Sequence, residues 1–196
     1  MACSFWRQGP KGYEEALPYA EKAYGLARSN KGTHRNIQSF TASGLSLCQA
    51  VNGHVEDAKV SLAEARNLFD PTMPAPSMYY TESNLIAISA DVHEHCGLWQ
   101  ESVDLWAESL IVPDISALGS IQARINYAKT EVSRDDIPTR NMDLCIDLLT
   151  GAMTGANELD SEHYKREARG VYDLLRAAWH REDAIKKLGR EHFGLK

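Results

Sequence analysis

The residues best equipped for chemistry lie in Val92-His93-Glu94-His95-Cys96, where two imidazoles, a carboxylate and a thiol crowd together. Their spacing argues against a metal centre. On a helix, residues two apart point to different sides, and zinc pairs use spacings of three or four. His93 with Cys96 and Asp91 with His95 satisfy that spacing, but the two pairs face different directions. Ser89 and Gly97, four residues either side of His93, are not ligands. The histidines therefore read as groove-lining or solvated. Asp135-Asp136, ahead of Ile137-Pro138, offers paired carboxylates that could exchange protons; adjacent acids in a polar loop instead solvate the turn. The chain has no Gly-rich phosphate loop, no Gly-x-Ser-x-Gly elbow and no Glu-x-x-His pair. No catalytic, cofactor-binding or metal-ligating residue is assigned, no cofactor is expected, and the chain is expected not to be an enzyme.

The other chemically distinctive side chains read as structural. Cys3, Cys48, Cys96 and Cys145 are far apart and form no Cys-x-x-Cys pair. They are expected to be reduced, mostly buried small residues of a cytoplasmic protein. Trp99 and Trp106, seven apart on one helix face, are expected in the core between helices. Tyr79-Tyr80, just before a helix start, is expected to be a partly exposed aromatic pair.

Composition fits a folded chain: 43% of the 196 residues are hydrophobic and 24% charged. With 27 acidic against 21 basic residues the net charge is −6, which does not supply the positive field that phosphate neutralisation needs, so no direct nucleic-acid contact is expected. The basic run Lys186-Lys187 with Arg190 is interleaved with Glu182, Asp183 and Glu191 and reads as a solvated helix face. Apolar runs are too short for a membrane span, and no membrane association is expected.

Helical spacing of apolar residues runs through the chain, punctuated by Gly and Pro, while strand alternation is nearly absent. One pattern recurs: a bulky residue, a small one three later, an apolar one four beyond, and another small one after three more. It occurs at Tyr13, Ala16, Ala20 and Ala23, then at Val55, Ala58, Leu62 and Ala65. It returns at Trp99, Ser102, Trp106 and Ser109, and at Met142, Cys145, Leu149 and Ala152. The first small positions are 16, 58, 102 and 145, so the steps are 42, 44 and 43 residues. All four positions of each set lie on one helix face. Small residues at two of them let a neighbouring helix approach, and a helix with such a face needs a partner before and behind it.

Each patterned helix has a companion ahead of it. A helix from about Thr33 to Val51 closes at Asn52-Gly53, where Gly can take the left-handed cap conformation; one from Thr81 to Cys96 closes at Gly97. Connections this short make the paired helices antiparallel neighbours. Asp70-Pro71 with Pro74 and Pro76, then Pro113-Asp114, separate the pairs. A fourth pair comprises a helix from about Ser116 to Glu131, a loop over Ser133 to Pro138, and the Met142 helix. Beyond a break at Thr154-Gly155-Ala156-Asn157, a helix over about Asp160 to His180 and a shorter one up to Leu188 carry no repeat pattern and are expected to cap the stack.

These residues resemble the tetratricopeptide repeat, whose second helix opens with Gly, an aromatic two residues on and Ala three after that. Gly97, Trp99 and Ser102 resemble this order, as do Gly53, Val55 and Ala58, and Tyr13–Ala23 is similar despite Pro18, which would kink it. The resemblance covers roughly residues 11–152, with a step of about 43 residues against about 34 in the standard repeat. It implies an all-α, right-handed solenoid of antiparallel helix pairs in a single domain over 1–196, with units at about 1–30, 31–72, 77–113 and 116–153 and capping helices over 159–190. It further implies that first helices line a concave groove. Carried over, the inward positions are Phe40, Ser43, Leu47 and Ala50, then Asn84, Ala87, Asp91 and Glu94, flanked by His95. Arg124 and Tyr127 face inward on the fourth pair. Asn84 could clamp a peptide backbone, and the acidic rim suits a ligand with some positive charge.

The chain is also similar, more distantly, to the helical C-terminal region of actinobacterial helix-turn-helix regulators, on the strength of Ala178-Trp179-His180-Arg181-Glu182-Asp183. No helix-turn-helix is evident. If Tyr13–Ala23 is a second helix, Met1 to Gly9 supply only half of a first one, exposing Phe5 and Trp6. That predicts a longer parent protein, or a groove edge completed by another subunit, as in a homodimer. The leading expectation is a scaffold that binds a protein or peptide ligand. The alternatives are the sensing or oligomerisation region of a transcriptional regulator and an enzyme with an unfamiliar site.

Overall fold

Small residues and well-made caps dictate the architecture. The computed structural model describes residues 10–73, 80–113, 115–135 and 137–195. Among these the chain is all-helical, with no strand, and no helix is long and apolar enough to cross a membrane. Helices α1 (Pro10–Ser29), α2 (Arg35–Val51), α3 (Val55–Leu68), α4 (Glu82–His95) and α5 (Trp99–Ser109) are followed by α6 (Ala117–Ser133). A 3-10 turn (Ile137–Thr139) then leads to α7 (Met142–Glu158), α8 (Glu162–Ala178) and α9 (Asp183–His192). Polar side chains satisfy N–H groups at the helix starts. Ser116 Oγ accepts from Gly119 N at 3.0 Å, and Asn141 Oδ1 from Leu144 N at 3.0 Å. Helix α1 continues through Pro18.

The turns that close α2 and α4 end alike. Gly53 and Gly97 sit at φ +79° and +75°, a conformation that costs glycine nothing. It lets His54 N reach Gln49 O and Leu98 N reach His93 O, both at 2.9 Å. Helix α7 closes the same way, Ser161 N reaching Ala156 O at 2.9 Å, but with Asp160 at φ +46°. The break expected at Thr154–Asn157 is therefore not a break. Gly155 lies inside α7, because the helix finds its cap only at Asp160.

The helices form two compact units, one ending at Leu105 and the other starting at Trp106. In the first, α2 is the central helix and packs on α1, α3 and α4. Ser39, Ala42, Ser43, Ser46, Leu47 and Ala50 are all buried on it. Buried hydroxyls need partners, and they find them on neighbouring carbonyls: Ser39 Oγ donates to Ala65 O at 2.7 Å and Ser46 Oγ to Ala58 O at 2.8 Å. Asn36 adds a two-way clamp, Nδ2 to Asp70 O at 2.9 Å and Asp70 N back to Oδ1 at 2.8 Å. As the α2 residue number rises its α3 partner's falls, so the two helices run antiparallel. Leu47, Ala50, Ala58, Leu62 and Val92 form the apolar core among α2, α3 and α4. Helix α1 docks Ala16 and Ala20 on Leu45 and Cys48. Further along it, Tyr24 OH donates to Glu64 on α3, which also receives Arg28 at 3.7 Å.

In the second unit α6 and α7 are antiparallel: Cys145 Sγ contacts Ala128 O at 3.7 Å, and Asn141 N reaches Glu131 Oε1 at 2.7 Å. A side chain at Gly151 would meet Arg124 at 2.8 Å and one at Gly155 would meet Ile121 at 2.9 Å, so α6 rides close over bare backbone. Helices α8 and α9 are held by Tyr172 stacked on Phe193, ring centres 4.7 Å apart, with Arg169 over both rings. Lys186 and Lys187 pair with Asp183 and Glu191 on an exposed face, as their interleaving predicts.

The first small position of every set is interior. Ala16, Ala58, Ser102 and Cys145 are each 0% exposed. The second small positions Ala65, Ser109 and Ala152 are buried as well, but Ala23 is exposed. On α1 the buried stripe runs Ala16, Ala20, Ala27 with Tyr24 half-buried, following the line that reaches α2 and Glu64; Ala23 turns out of it. The half-helix expected over Met1 to Gly9, with Phe5 and Trp6, lies outside the described residues, as do Cys3 and Tyr79. Tyr80 is buried, contrary to the expectation of an exposed pair. Its ring packs edge-on against Phe40 and Phe69 at 5.0 and 5.8 Å, and its hydroxyl lies 2.7 Å from Ser39 Oγ. A tyrosine with a polar partner waiting inside is best placed inside.

Candidate functional site

The groove positions on α2 and α4 behave differently. On α2, Ser43, Leu47 and Ala50 are buried: Ser43 Oγ is satisfied by Phe40 O at 2.9 Å, and Leu47 and Ala50 belong to the core with Val92 of α4. These three offer no surface to a ligand. The implied wall assumes that α2 has one open face, whereas a helix touching three neighbours buries most of its circumference. Phe40, 38% exposed, is the inward position of α2 that reaches solvent.

On α4 the surface is more open. Ala87, Asp91 and Glu94 are half-buried and His95 is exposed. Asn84 is half-buried too, but its Oδ1 accepts from Thr81 N at 3.2 Å and Thr81 Oγ1 at 3.1 Å. It caps the helix, so a backbone-clamping amide would have to give up that role. Arg124 and Tyr127 belong to the second unit. Tyr127 is buried, and Arg124 lies half-buried across Gly151 in a shallow cleft with Ser120 and Thr154.

The candidate chemical groups are absorbed into structure. His93 Nδ1 sits 2.7 Å from Ser89 O, a bond within its own helix. Trp106 is 1% exposed. Cys48 and Cys145 are buried free thiols, and burial pushes them up to about 11 and about 12; nearby Glu131 adds to the shift at Cys145. Half-buried Cys96 is also raised, by desolvation against the opposing field of Lys59. Asp135 is exposed and Asp136 lies outside the described residues.

Two features escaped the sequence reading. One is Glu131, a carboxylate 1% exposed that receives Arg134 Nη1 at 3.1 Å and the backbone N–H of Asn141. A buried charge persists only when paired and hydrogen-bonded, and here both conditions hold. Arg140 in turn donates from Nε to Arg134 O at 2.8 Å, which fixes the connection between α6 and α7. The second is a cleft of about 350 Å³ between α3 and α4, floored by Leu62, Val92 and Leu98 and rimmed by Lys59, Arg66 and His93. His93 on that rim bonds through Nδ1 to the carbonyl of fully buried Ser89, four residues earlier on the same helix, a pairing legible from helical spacing alone. Arg66, 23 residues from Ser89, is brought to it only by folding.

Compared with known proteins, the chain matches no protein-family model and no curated protein.

Proposed function

We propose that the chain is a repeat scaffold, resembling tetratricopeptide arrays, that binds a protein or peptide segment and performs no chemistry. One observation carries this reading. In three successive hairpins the small residue of the second helix, at 58, 102 and 145, meets a small residue of the first helix through a side chain on a backbone carbonyl: Ser46 on Ala58, Ser102 on Ala90, and Cys145 on Ala128. Positions 46 and 90 correspond, as do 58 and 102, at one step of 44 residues. Donor and acceptor exchange helices between the first and second hairpins, yet the contact persists. Such a contact, maintained with changed chemistry, is what a stack of similar antiparallel units requires, since each unit must bury its face on the next. On this reading the units form a solenoid, and the ligand lies along α4, on Ala87, Asp91, Glu94 and His95, with Phe40 as the apolar anchor at its edge. Asp91 and Glu94 favour segments carrying Lys or Arg.

The test is selection of a random-peptide library on the immobilised chain, followed by anisotropy titration of the enriched sequences. They should be enriched in basic and apolar residues, and Asp91→Lys with Glu94→Lys should weaken them at least about tenfold, near 1.4 kcal/mol, with unchanged far-ultraviolet circular dichroism. Enrichment of no sequence, or equal binding by the doubly reversed variant, overturns the groove.

A further inference from the structure

The cleft between α3 and α4 is chemically unlike the rest of this acidic chain. Three basic side chains rim it, and no carboxylate is among the described residues that line it. Two of the three are held by one residue. Ser89 is fully buried; its Oγ accepts from Arg66 Nε at 3.3 Å while donating to Leu85 O at 2.7 Å, and its carbonyl lies 2.7 Å from His93 Nδ1. A carbonyl can only accept, so Nδ1 is the protonated nitrogen. Arg66 thus spends one donor on its anchor and keeps both Nη groups, and it forms no ion pair among the described residues. Lys59 is different: Glu56 holds it at 2.9 Å. Arg66 therefore brings to the cleft a positive charge with no ion-pair partner among the described residues, on a planar fork already oriented by a buried hydroxyl, above a floor of Leu62, Val92 and Leu98.

We propose that this cleft binds a small organic carboxylate with an apolar body. The carboxylate lies on the two free Nη groups of Arg66, whose geometry matches a pair of oxygens, and the apolar body covers Leu62, Val92 and Leu98. One guanidinium, with Lys59 held by Glu56, matches a monoanion better than a dianion. At about 350 Å³ the cleft is at the small end of ligand sites, roughly 300–1,000 Å³, which suits one ring or a short chain rather than a nucleotide. The site is separate from the α4 groove and does not depend on a peptide binding there.

Benzoate is the probe, and the His93 imidazole resonance of the full-length chain is the reporter. Benzoate should shift that resonance saturably with Kd of about 1 mM or tighter, and benzyl alcohol and inorganic phosphate should each bind at least about tenfold more weakly. Arg66→Gln should weaken benzoate by a similar factor, and Arg66→Lys, which keeps the charge but loses the fork, by less. Phosphate binding as tightly as benzoate, benzyl alcohol binding as tightly as benzoate, undiminished binding by Arg66→Gln, or no saturable shift overturns the proposal.

Discussion

The α2–α3 and α6–α7 hairpins solve one packing problem with different chemistry. In α2–α3 the connection is short, Gly53 turns the chain, and serine hydroxyls fasten α2 onto α3 carbonyls. In α6–α7 the contact between small residues persists as Cys145 on Ala128, and glycines at 151 and 155 let α6 settle close. The connection is longer, however, and buried Glu131 pins it by binding both its Arg134 and the Asn141 N–H that leads into α7. The face that meets a neighbour is thus conserved between the hairpins, while the means of closing the turn is free to differ.

The largest expected effect comes from removing the lock of the longer connection. Glu131→Ala removes the carboxylate that Arg134 and Asn141 N both bind, and breaking a buried pair costs about 3 kcal/mol. Chemical denaturation should report the loss, and hydrogen exchange should place it in α6 and α7 with α2 and α3 unchanged. Protection lost equally in both hairpins would show that Glu131 does not act locally.

A smaller effect is expected in the hairpin that relies on hydroxyls. Ser46→Ala removes one buried hydrogen bond, at a cost of about 1 kcal/mol. Ser46→Val, which forces a methyl against the Ala58 carbonyl, should cost about 2 kcal/mol. A stabilising Val would mean that the two helices have room to spare at this point.

The smallest effect is kinetic. With thiols raised to about 11 at Cys48 and about 12 at Cys145, neither is a thiolate at neutral pH, because a raised pKa keeps the proton on until the pH climbs to it. In a Cys3→Ser background, dithionitrobenzoate should modify half-buried Cys96 first, while Cys48 and Cys145 wait for their helices to open. Glu131→Ala should then speed Cys145 alone. Cys145 reacting as fast as Cys96 in the parent chain would remove the distinction.

The sequence by itself determined which residues go inside the second helices, because a period near 3.6 and the alternation of small with large residues are local properties. Ala58, Leu62, Ser102, Trp106, Cys145 and Leu149 are all buried. It also determined the turns at Gly53 and Gly97, since a positive φ has a composition of its own. Tertiary structure decided which faces stay open. Whether Ser43 and Leu47 line a groove or a core depends on how many neighbours α2 has; whether Tyr80 is exposed depends on Ser39 offering it a hydroxyl; and Arg66 joins Ser89 and His93 only because α3 lies beside α4. Those outcomes rest on contacts between residues remote in the chain, and no local spacing encodes them.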